Sequence, residues 1–255
     1  MLNFATKILT APLGKTHLFS VGQAGFIIKS SSGQLLGIDM YLTDCVERVE
    51  GHKGYKRMLP KILAPSEIEF DVVIATHFHK DHFDDDAIPQ LLANGKTKLY
   101  AANDCEEDVK RLGIEKENIT FVHPNEHYEY GDFKIDFVDC DHGTEAPLAV
   151  GAVITVDGKK IYEAGDTCLR MDRIDGLKKL GPYDVVIGPI NGKYGNMNSD
   201  EFAEFANALG GLAIPCHYGM FPDHGGDPGK FYSLMTEKYK DNQFLIMTLG
   251  EKYTF

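Results

Sequence analysis

The sequence predicts an α/β protein of two similar αβ halves, about residues 1–140 and 141–255, within a single domain. The sheets of the two halves are expected to pack face to face with helices outside, an αββα four-layer sandwich. Three observations predict it. The tetrapeptide Asp71-Val72-Val73-Ile74 recurs as Asp184-Val185-Val186-Ile187. Around each copy runs the same order of hairpin, Asp, strand, polar loop, helix and strand. Histidines and aspartates gather where strands of both halves stop, so loops from both are expected at one edge. A copied tetrapeptide arises by chance; the shared order is harder to dismiss.

In chain order, residues 16–20, 24–29 and 35–39 read as strands, broken at Gly22, Gly25 and the Ser30-Ser31-Ser32-Gly33 turn. Residues 41–66 are polar, carry Gly51, Gly54, Pro60 and Pro65, and read as a long irregular connection. The apolar run 72–75 reads as a buried strand. A helix over 84–94 opens with three aspartates, favourable at a helix N-terminus, and a strand over 98–102 and a helix over 104–112 follow. Strands over 119–122, 128–130 and 133–138 lead into Asp139-Cys140-Asp141-His142-Gly143. The second half then echoes the first. Gly151-Ala152-Val153-Ile154, a turn at Asp157-Gly158 and a strand ending at Asp166 match Gly25-Phe26-Ile27-Ile28, Gly33 and Asp39. A helix over 199–209, a strand over 212–215, a helix over 228–240 and a strand over 243–248 close this half.

The chemistry centres on Thr76-His77-Phe78-His79-Lys80-Asp81-His82. Alternation in an extended segment places His77 and His79 on one side, and the following turn brings Asp81 and His82 to a second point. Three imidazoles and a carboxylate so close together are costly to bury unpaired and well suited to divalent cations. His142, Asp166 and His217 lie where later strands stop; each alone reads as structural, but together they complete two sets. His77, His79 and His142 form one; Asp81, His82 and His217 form the other; Asp166 bridges both. Two ions would lie about 3.5–4 Å apart with a hydroxide between them. Two divalent cations, two carboxylates and a hydroxide leave about one positive charge, which suits an anionic or polarised substrate. His and Asp ligands fit zinc, manganese or iron.

Asp39 is expected to hydrogen-bond a ligand histidine from behind, against the simpler reading of a turn. Lys193 and Tyr194 lie in the loop that corresponds to the His cluster, so they are candidates for substrate contact, Lys193 as partner for an anion. His224 is a further candidate, weighed against a mobile loop. His17, His52, His123 and His127 have no companions and read as structural or solvated. Cys140, Cys168 and Cys216 flank site residues but read as small buried hydrophobes.

Composition narrows the partners. A net charge of −12 disfavours a nucleic-acid footprint, which needs a basic surface. Five scattered cysteines argue for reduced thiols. No apolar run reaches membrane-span length and no export signal opens the chain, so the expectation is a cytoplasmic protein, compatible with homo-oligomers.

The His77–His82 motif, then His142, Gly165-Asp166-Thr167 and Cys216-His217, resemble the metallo-β-lactamase-fold superfamily over most of the chain. The resemblance implies an αββα sandwich with a dinuclear site at the sheet edge. Pro189-Ile190-Asn191-Gly192, Asn207-Ala208-Leu209 and Ile214-Pro215-Cys216-His217-Tyr218, followed by Asp227-Pro228, resemble the L-ascorbate-6-phosphate lactonase group. That likeness implies Mn2+, where many superfamily hydrolases use Zn2+, and adds Asn191 to the substrate-contact candidates. It also implies hydrolysis, by a metal-bound hydroxide, of a lactone of a small sugar acid, phosphorylated or not; Asp81 and Asp166 are the catalytic candidates. A phosphodiesterase of the same fold, a mono-iron sulfur dioxygenase and a non-catalytic metal binder are the alternatives; the complete ligand set speaks against the last.

Overall fold

Strand-forming runs buried on both faces dominate the molecule and decide its layers. The computed structural model describes residues 3–255, apart from the side chain of Lys116. The first sheet has the order β13-β1-β2-β3-β4-β5-β6 and the second β12-β11-β10-β9-β8-β7. In the first, β1 (His17–Gly22), β2 (Gly25–Lys29) and β3 (Leu35–Ile38) form an antiparallel meander; β4 (Val72–Ala75), β5 (Lys98–Ala102) and β6 (Ile119–Val122) continue it in parallel. In the second, β7 (His127–Tyr130), β8 (Phe133–Asp139), β9 (Val150–Val156) and β10 (Lys159–Glu163) are antiparallel; β11 (Val185–Pro189) and β12 (Leu212–Cys216) are parallel to β10.

The register carries the repeat residue by residue. Ile28, Leu36, Val72 and Lys98 lie across one row of the first sheet; Ile154, Ile161, Val185 and Leu212 form the same row of the second. Gly25 and Gly151 therefore take equivalent places, and for the same reason. A Cβ on Gly25 would stand 3.1 Å from the carbonyl of Asp39, and one on Gly151 3.1 Å from that of Ala164. The strand-end echo shifts accordingly: the counterpart of Asp39 is Ala164, and Asp166 lies beyond the end of β10.

The inner faces of both sheets merge into one apolar cluster that joins Phe19, Ile28 and Ile74 to Phe133, Ile154 and Ile187. Outside the second sheet, α6 (Ile174–Leu180), α7 (Ser199–Leu209) and α8 (Pro228–Glu237) cover Val153, Val186 and Ala213. Helix α7 opens on a capping box in which the Asn198 side chain accepts from the backbone while Glu201 reaches back. Outside the first sheet lie α1 (Phe4–Leu9), α4 (Ile88–Leu92) and α5 (Glu106–Arg111).

Three expectations need correction. The 41–66 connection contains α2 (Cys45–Glu50) and the kinked turn α3 (His52–Tyr55), because Tyr41, Cys45 and Val46 bury against Met220 and Phe221. The helix expected over 84–94 is shortened to α4: Asp84 turns its carboxylate to the backbone N–H groups of Leu42, Thr43, Asp86 and Ala87 and so fixes a turn ahead of the helix. Residues 243–245 run beside β12 through backbone bonds with Ala213, without forming the expected strand. The chain then crosses to the first sheet, where β13 (Lys252–Thr254) pairs with β1.

Candidate metal centre

The site residues ride on backbone that cannot continue as strand. β4 ends at Ala75, and the turn that follows is pinned by Asp39, whose carboxylate accepts from the Thr76 backbone N–H at 2.8 Å and hydroxyl at 2.7 Å. The same carboxylate accepts from His82 Nδ1 at 2.7 Å, which fixes the tautomer that leaves Nε2 free. His217 follows β12 with φ +60°, held by its N–H to the carbonyl of Gln23 at 2.9 Å.

All seven residues of the expected ligand set converge at one sheet edge. His77 Nε2 lies 3.0 Å from His79 Nδ1, which lies 3.3 Å from His142 Nε2. In the second set His217 Nε2 stands 3.1 Å from Asp81 Oδ2 and 3.4 Å from His82 Nε2. Asp166 Oδ2 lies between them, 3.1 Å from His217, 3.4 Å from His82 and 3.9 Å from His142. A tetrahedral shell with bonds of about 2.1 Å has edges of about 3.4 Å, the separation at which these atoms gather. Asp166 Oδ1 is buried with no hydrogen-bond partner, as a ligand atom would be in protein alone.

The electrostatics call for positive charge. Burial alone would depress His82, yet Asp166, Asp39 and Asp81 outweigh it and carry its pKa well above the ordinary value. Burial likewise opposes His217, but Asp166 and Asp81 push it up to about 9. Asp166 would rise through burial, but His217 and His82 hold it well below the usual carboxylate range. His77 and His142, farther from the carboxylates, are dominated by burial and fall, His142 to about 4. Ionised carboxylates that hold protons on His82 and His217, beside neutral His77 and His142, form a site that divalent cations fit by displacing those protons.

Of the candidates for substrate contact, Tyr194 and His224 line a cleft of about 230 Å³ that opens onto the centre, with Tyr55, Phe78 and Glu145. Asn191 and Lys193 do not line it. The Asn191 amide is buried and donates to the Lys193 carbonyl, and Lys193 Nζ donates to the carbonyl and carboxylate of Asp223. His224 is buried and stacks on His217 at 5.0 Å and 5°, so it belongs to the wall of the centre and not to a loose loop. Cys140 donates its thiol to the Asp166 carbonyl, and burial raises the pKa of Cys140 and Cys216, so both remain thiols.

Sequence reasoning missed Gln23 and Asn196. Asn196 donates to Asp166 Oδ2 at 2.7 Å, and Gln23 donates to Asp81 Oδ2 at 2.7 Å. Neither carries a local signal: one sits in a hairpin turn and the other in a glycine-rich loop, where polar residues ordinarily face water.

Residues 17–217 match the family described as Beta-lactamase superfamily domain. The chain belongs to the metallo-β-lactamase superfamily. Within that superfamily it is 32% identical to a "UPF0173 metal-dependent hydrolase" of Aeropyrum pernix, over 75% of this chain and 84% of that one. It is 29% identical to the Thermococcus kodakarensis relative of the same description, over 91% and 96%. The solved structure of Igni18, a metallo hydrolase from Ignicoccus hospitalis, shares the fold with a TM-score of 0.73 at 23% identity, over 94% of this chain and 98% of that one. The protein is a metal-dependent hydrolase. No helix among the described residues is long and apolar enough to cross a membrane.

Proposed function

We propose that this hydrolase is dinuclear and opens the ring of a small lactone. The observation that carries the dinuclear reading is Asp166 Oδ2, which lies within 3.9 Å of histidines of both sets and so supports a bridging role. His77, His79 and His142 would hold one ion, Asp81, His82 and His217 the other, Mn2+ or Zn2+ in each case. Such a pair supplies Lewis acidity and lowers the pKa of a coordinated water from 15.7 to about 7.

The chain's own residues do the positioning. Asp39 aims His82 through Nδ1, and Asn196 orients Asp166. Burial would raise the Asp81 carboxyl, but His82 and His217 hold it well below the usual carboxylate range, so it carries charge and does not donate a proton. The leaving alkoxide stays tethered in the product and takes its proton from water in the open cleft. Phe78, Tyr55 and Tyr194 offer aromatic surface to the body of the substrate.

The anionic substrate expected from Lys193 finds no free cation among the described lining residues. Lys80 lines the cleft, but its Nζ pairs with Asp85 at 3.2 Å and Asp108 at 2.7 Å. Glu50 and Glu145 add negative charge at the wall. An uncharged lactone therefore fits better than a phosphorylated one.

Protein purified without chelator is expected to contain about two divalent ions per chain; saturation at one removes the dinuclear reading. A panel of uncharged and phosphorylated sugar lactones, bis(p-nitrophenyl) phosphate and a β-lactam tests the substrate. Metal-dependent turnover of the phosphodiester with no lactone opened replaces the lactonase with a phosphodiesterase.

A further inference from the structure

Gln23 stands where a turn residue has little reason to be. It is the first residue of the two-residue turn between β1 and β2, closed by the pairing of Gly22 with Gly25. Its φ is +53°, a left-handed conformation that is strained for a residue with a Cβ. A glutamine there would ordinarily leave its amide in water; this one is 3% exposed. Its carbonyl receives the His217 N–H at 2.9 Å, and its side chain turns into the centre.

The amide environment suits a cation better than an amide. Nε2 lies 2.7 Å from Asp81 Oδ2, 3.0 Å from His217 Nε2 and 2.9 Å from His224 Nδ1. A primary amide nitrogen has two N–H hydrogens, and three polar atoms crowd this one. Its carbonyl Oε1, the better acceptor, is buried with no partner. Asp81, His217 and His224 also bring their ligand atoms within 4.8 Å of one another. A half-turn of the terminal amide exchanges Nε2 for Oε1, the kind of oxygen donor that Mn2+ takes readily.

The geometry points to Gln23 as a metal-responsive residue of the second set. Without an ion its N–H groups satisfy Asp81; with one, the amide turns and offers Oε1 as an additional ligand. His224, stacked on His217, walls the amide in and favours rotation over withdrawal. A donor beyond Asp81, His82, His217 and Asp166 is superfluous to a four-coordinate Zn2+ and welcome to Mn2+, so Gln23 biases the second position towards Mn2+. This inference rests on the dinuclear reading.

Calorimetric titration of the metal-free wild type, Gln23→Ala and Gln23→Glu with Mn2+ tests it, with thermal unfolding as the check on folding. Gln23→Ala is expected to weaken the second Mn2+ by about 10-fold or more and leave the first unchanged, a loss in the lower range for a lost metal-site partner. Gln23→Glu keeps an oxygen donor and adds charge, so it should bind the second Mn2+ at least as tightly as the wild type. Unchanged or tighter second binding in Gln23→Ala overturns the inference. Should that variant not fold, weaker second binding in Gln23→Glu overturns it. A wild type that binds one ion defeats the dinuclear reading instead.

Discussion

Asp166 and Gln23 show how differently two site residues announce themselves. Asp166 is a carboxylate just past a strand end, in a chain that already offers H-x-H-x-D-H, and its type alone marks it as a ligand candidate. Gln23 and Asn196 carry uncharged amides used everywhere in turns, and only their burial against Asp81 and Asp166 reveals a role. Lys193 illustrates the reverse error: its charge suggested an anion partner, but Asp223 already occupies it. Because Asp166 touches both histidine sets, Asp166→Ala should cost more than His82→Ala or His142→Ala. Metal analysis and turnover should show a loss of about 100-fold or more for Asp166→Ala. Equal losses in all three variants count against a bridge.

Elements were legible where their pattern is local. Val72–Ala75 and Ser199–Leu209 lie where apolar runs and helical spacing put them. Asp104, in the turn between β5 and α5, was read only as part of a helix, yet burial pushes its carboxyl up to about 6, with Asp108 adding to the rise. Its Oδ2 is buried and unpartnered. The sign follows from the direction. The folded state holds this proton above the ordinary value of 3.8, so its contribution is favourable at low pH and is lost as pH rises through about 6. Asp104→Asn should therefore raise the melting temperature clearly more at pH 8 than at pH 4.5, which lies near the start of the window from 3.8 to about 6. A shift of equal size at both values would mean that ionisation is not the cause.

At the scale of the whole molecule, the centre lies between the two sheets and ties the end of β4 to the end of β12. Ions bound there stabilise the folded state only. At a free concentration about 1,000 times the dissociation constant, one ion adds about 4 kcal/mol. Removing it with a chelator should lower the melting temperature by roughly 10 °C in a chain of this size. A transition indifferent to chelator would mean that the centre is preorganised without ions. The chain by itself determined the strand and helix runs, the internal repeat and the seven ligand candidates. Each follows from residue type and short-range spacing, which survive in one dimension. Only the tertiary structure decided that β13 leaves the second half to pair with β1, that Lys80 and Lys193 are already neutralised, and that Gln23 turns inward. Those outcomes depend on what lies opposite in space, from residues up to 237 positions away in sequence, and no local pattern encodes that distance.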